Sequence, residues 1–61
     1  MRAINVSQFE RHPHWRVELV VIQRQPYREG VRLTDRQSGR WFIVITGLGG
    51  DIHQVIARGQ L

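Results

Sequence analysis

The residues of this chain best suited to chemistry are its arginines. All nine basic residues are arginine and none is lysine; against five acids they leave a net charge of +4. A guanidinium group offers a planar fork of donors that fits phosphate, carboxylate or the edge of guanine, and it stacks on aromatic rings. Arg16, Arg32 and Arg40 fall in segments of alternating pattern, Arg28 and Arg36 in the adjoining connections, and Phe42 two residues after Arg40. Together they predict a binding surface for a polyanion. The charge alone does not name the partner, because a GC-rich genome also enriches arginine and +4 is ordinary for a soluble small domain.

Other chemistry is weaker. His12-Pro13-His14 and the distant His53 could supply imidazoles, but the chain has no cysteine and no close pair of histidines at helical spacing, so no metal site is expected. Gly47-Leu48-Gly49-Gly50-Asp51 resembles a phosphate-cradling loop, yet no third fingerprint glycine and no lysine follow, and Asp51 would repel phosphate. A flexible connection is the better reading. Ser7, Ser38 and the five scattered acids show no nucleophile beside a base and no opposed carboxylates, so neither an enzyme nor a cofactor is expected.

The elements that must hold the arginines fit one domain over residues 1–61, because a chain this short buries only about 60% of its unfolded surface. Residues 1–13 form a loosely defined N-terminal segment. Arg2 to Val6 suggest a short strand, although Ser7 to Glu10 have capping-box spacing for a helix that Pro13 would soon stop. From Trp15 to Gln23 the β-branched content and apolar odd positions predict a strand. A break at residues 25–30 precedes a second strand at Val31 to Thr34. The turn Asp35-Arg36-Gln37-Ser38-Gly39 then makes Arg40 to Thr46 return antiparallel as a hairpin. After Gly47 to Gly50, Asp51 can cap a helix over Ile52 to Arg58, with Ile52, Val55 and Ile56 on one side and Gly59 as its stop. The expected fold class is therefore α+β: a three- or four-stranded antiparallel sheet followed by one short C-terminal helix, β-β-β-α. The competing reading turns residues 53–57 into a last strand and the fold into an all-β, barrel-like one.

In the β-β-β-α reading, Trp15, Val17, Leu19, Val21, Val31, Leu33, Trp41, Ile43 and Ile45 share the apolar face beneath the helix. The other face mixes Arg16, Arg32 and Arg40 with Val20, Ile22, Phe42 and Val44. Those apolar groups need cover from the N-terminal segment, from a second copy in a homodimer, or from a partner. A sheet bearing such arginines can enter the DNA major groove. The outline is similar to small sheet-plus-helix DNA-binding domains such as the arm-binding domains of tyrosine recombinases, with no motif matched residue by residue and no site carried over. The expectation is a small bacterial or phage regulator or accessory protein that binds nucleic acid, foremost DNA, through Arg16, Arg28, Arg32, Arg36, Arg40 and Phe42. The alternative is a protein-binding module, such as a phage- or plasmid-encoded inhibitor of a host protein, using the same surface. No apolar run reaches the ~20 residues of a membrane helix and no signal peptide is evident, so a cytoplasmic location is expected.

Overall fold

A computed structural model describes residues 4–61. Strand β1 (Trp15–Arg24) turns at Gln25-Pro26 and returns as β2 (Tyr27–Asp35), in a register running from Trp15 opposite Asp35 to Arg24 opposite Tyr27. The break expected at residues 25–30 shrinks to the two residues a hairpin needs, so β2 starts four residues before Val31. The second hairpin forms where the turn residues mark it. The Asp35 carboxylate accepts from the Gln37 amide at 3.0 Å and from Ser38 Oγ at 3.0 Å, and the Gly39 amide donates to the Asp35 carbonyl at 2.8 Å. Gly39, at φ +78°, takes the left-handed conformation that lets β3 (Arg40–Thr46) pair with β2.

The expected C-terminal helix is absent. Ile52–Gln60 is a fourth strand, β4, paired antiparallel with β3 in a sheet of order β1-β2-β3-β4. The cause of the misreading lies in the register. Val44 pairs with Val55 and Ile43 with Ala57, so Ile56 is an extra residue in β4; Ile45 pairs with Gln54 and Thr46 with Ile52, so His53 is another. Two bulges bring Ile52, Val55 and Arg58 to one face at a spacing of three, which imitates one side of a helix. The similarity to sheet-plus-helix DNA-binding domains, which rested on that helix, falls with it.

The helix lies instead at the N-terminal side, as α1 (Val6–Glu10). The expected edge strand from Arg2 begins outside the described residues, and within them only Asn5 makes a bridge, opposite Asp51. Asn5 is the N-cap: its Oδ1 accepts from the Ser7 amide at 2.9 Å, while its Nδ2 donates to the Gly49 carbonyl at 2.8 Å and to Asp51 Oδ1 at 2.9 Å. One side chain thus ties the helix start to the β3–β4 connection. From there α1 lays Val6 and Phe9 on the core of Val31, Leu33 and Val44, joined by Trp15, Val17, Phe42 and Ile52. Burying Leu33, 2% exposed, is worth about 2 kcal/mol.

The two faces also differ from expectation. Leu33 pairs with Val17 on one side and Phe42 on the other, so even positions of β3 join odd positions of β1 and β2. Phe42 and Val44 therefore lie under α1, and Trp41, Ile43 and Ile45 point to the opposite face with Val20 and Ile22. Four residues separate Asp35 from Arg40, and this connection sets the phase. The apolar run Trp41 to Ile45 could not reveal it.

Candidate nucleic-acid interface

The new register separates the expected arginines. Arg16 and Arg32 lie on the face opposite α1, where both reach one carboxylate: Arg32 Nη2 is 3.0 Å from Glu18 Oε1 and Arg16 Nη2 is 3.5 Å from Glu18 Oε2. A second donor, Arg32 Nε, reaches Glu18 Oε1 at 3.2 Å. Glu18 offsets part of their charge. Arg28 sits near the β1–β2 turn, opposite Gln23, at the far end of the sheet. Arg36 lies in the β2–β3 turn, its amide donating to the His14 carbonyl at 2.7 Å.

Arg40 and Phe42 lie on the α1 side, and β4 adds a residue the sequence reading had assigned to a helix. Arg40 pairs with Gln60 and Phe42 with Arg58, so Arg58 is a diagonal neighbour of Arg40, about 7–8 Å away along the ladder. Arg40, Phe42, Arg58, Gly59 and Gln60 line one open groove of about 470 Å³. Trp15 lies beside Phe42 on the same face, at 6.3 Å between ring centroids, and Trp15 and Phe9 meet edge to face at 5.0 Å. The two guanidinium groups thus flank an anchored aromatic ring. Among the described residues, only Arg16 and Arg32 are arginines within 4.0 Å of a carboxylate.

The same end of the sheet gathers Arg11 and two imidazoles. Arg11 follows α1, and His12 and His14 lead into β1, their rings 5.1 Å apart. His14 Nε2 is 3.5 Å from Gln37 Nε2 of the turn that carries Arg36. Asp35 is the nearby acid, and its carboxylate is occupied by the turn. The Gln37 amide, then Ser38 Oγ, hold its pKa below the usual carboxylate value, with the charge of His14 adding to this. His53 stands far from His12 and His14, against Gly47 at the other end of the chain's last hairpin. Gly47 to Gly50 form a strand-to-strand turn, closed by the Gly50 amide on the Gly47 carbonyl at 3.0 Å, with no helix N-terminus behind it. Among the described residues no helix is long and apolar enough to cross a membrane.

No family model matches the chain, and neither a curated protein nor a solved structure does.

Proposed function

We propose that the protein binds nucleic acid, duplex DNA foremost, by laying the basic end of its sheet along the phosphate backbone, and that it serves as a small regulator or accessory protein. The observation that carries this reading is the groove in which Arg40 and Arg58 flank Phe42 without a carboxylate within ion-pair distance among the described residues. Forked guanidinium groups bind phosphate oxygens through charge-assisted hydrogen bonds. Arg40 and Arg58 are the inner contacts, and Arg36 and Arg11 extend the track. Contacts of this type position a protein and carry little sequence information. Arg16 and Arg32, sharing Glu18, contribute less.

The test is fluorescence anisotropy with a labelled duplex, titrated between about 50 and 200 mM salt. Replacing Arg40 and Arg58 together by Ala should lower the slope of log affinity against log salt by about two, one unit per phosphate contact removed. Its melting curve should stay close to that of the native chain, since both groups are exposed. No binding to duplex or single-stranded nucleic acid at the lowest salt refutes the reading.

A second reading rests on a different observation. Beside the arginines, an apolar groove of about 200 Å³ opens between α1 and β4, lined among others by Ile4, Phe9, Phe42 and Val55. An apolar side chain flanked by acids on a host protein would fit there, with Arg40 and Arg58 at the rim. Binding through such a centre changes little with salt, so the same titration with a protein ligand separates the two.

A further inference from the structure

Building on the nucleic-acid reading above, we propose that Phe42 is a stacking platform for one unpaired base, with Arg40 and Arg58 holding the phosphates on either side of that nucleotide. Phe42 lines both grooves on the α1 side of the sheet. On one flank lies the basic groove of about 470 Å³, with Arg40 and Arg58. On the other lies the apolar groove of about 200 Å³, to which Phe9 and Trp15 add two more aromatic rings. A nucleotide has the same division, an anionic phosphate joined to a flat aromatic base, so the cationic and aromatic halves of this surface match its two halves in order.

In a paired duplex each base face is covered by its neighbours in the stack, and a protein meets only base edges and backbone. An unpaired base instead exposes a π-face that stacks on an aromatic side chain with little regard to sequence. Phe42 is ordered for that role in advance. It packs against the core of Val31, Leu33 and Val44, and Trp15 stands beside it, tilted by 35°. Stacking on a ring already held in place costs little side-chain freedom. The groove wall is held as well, because Gln60 Nε2 donates to the Ser38 carbonyl at 3.1 Å and the Leu61 amide to the Gly39 carbonyl at 2.9 Å. Arg58 stands opposite Phe42 on β4 and Arg40 two residues before it on β3, so two exposed forks approach the ring from different strands. Each binds phosphate oxygens through charge-assisted hydrogen bonds.

Fluorescence anisotropy at one salt concentration compares three labelled DNAs: a paired duplex, the same duplex carrying one unpaired nucleotide, and that second DNA with an abasic residue at the unpaired position. The second and third carry the same phosphates, so their salt slopes should agree, while the base should tighten binding about 5-fold or more. Phe42→Leu should bring the second DNA down to the affinity of the third. Because Phe42 also packs on the core and that variant can lose its fold, Trp15 provides a second readout. In a Trp41→Phe chain the remaining indole lines the apolar groove, and the second DNA should quench its emission where the third does not. Equal affinity for the second and third DNAs overturns the proposal, as does equal quenching, while binding of the paired duplex still upholds the broader reading. Failure to bind any of the three overturns the nucleic-acid reading and this proposal with it.

Discussion

Three glycines test the backbone geometry of the β2–β3 and β3–β4 connections. Gly39 and Gly50 have φ of +78° and +86°, whereas Gly49, directly before Gly50, does not lie in the left-handed region. An L-residue forced into that region costs about 1–2 kcal/mol, and a β-branched one lies at or above the upper end. At Gly39 a Cβ would come 3.4 Å from Leu61 Cβ, which is ordinary contact, so the cost there is conformational. At Gly50 it would also come 3.1 Å from Asn5 Oδ1 and 3.2 Å from Val6 Cγ2, pushing on the helix cap. At Gly49 it would meet nothing within 4 Å. Gly39→Val should therefore lose about 2 kcal/mol and Gly50→Val somewhat more, while Gly49→Val should change little. For a domain of this size total stability is only about 3–9 kcal/mol, and 2 kcal/mol corresponds to a Tm lowered by about 8–16 °C. Circular dichroism melts at one fixed protein concentration provide the measurement. Equal losses at positions 49 and 50 would refute the assignment of the β3–β4 turn, and an unchanged Tm for Gly39→Val would refute that of the β2–β3 hairpin.

Asn5→Ala removes the cap and both bonds to the β3–β4 connection; a loss of about 1–2 kcal/mol in urea melts is expected, and an unchanged midpoint would show that α1 is held by its apolar contacts alone. Asp35 makes the acid limb of stability predictable. Because its folded pKa lies below the ordinary 3.8, the unfolded chain takes up the proton first; its contribution is present above that value and is lost as pH falls through the folded pKa. Asp35→Asn should flatten the pH dependence of Tm in this range, and a native profile already flat there would contradict the turn geometry.

The parts of the fold that sequence makes legible are those in which pattern and punctuation agree. β1 shows through its β-branched content, and the β2–β3 hairpin through Asp35, Ser38 and Gly39, each of which makes a bond or conformation the turn requires. The facing of β3 is not legible, because residues 41–45 are all apolar and an unbroken run carries no phase. β4 is disguised for a different reason. Its bulges at His53 and Ile56 turn a period of two into a spacing of three, and only the β-branched Ile52, Val55 and Ile56 favour a strand there. Arg58 disappeared from the candidate surface with that misreading, since its place beside Phe42 exists only in the paired strand. Arg16 and Arg32 were visible as arginines, but their shared carboxylate depends on the β1–β2 register.

The bulges have a consequence beyond register. An outer strand normally offers a row of free amides and carbonyls on which another chain can add, and repeated addition builds a ribbon without end. In β4 His53 and Ile56 break that row, and in β1 the same occurs at Ile22, the extra residue between the pairs Val21–Glu29 and Gln23–Arg28. Both margins of the sheet are therefore poor templates for a further strand. A small protein rich in β-branched residues can thus carry apolar groups such as Leu19 and Val55 on a broad side of its sheet without seeding fibrils from its rims.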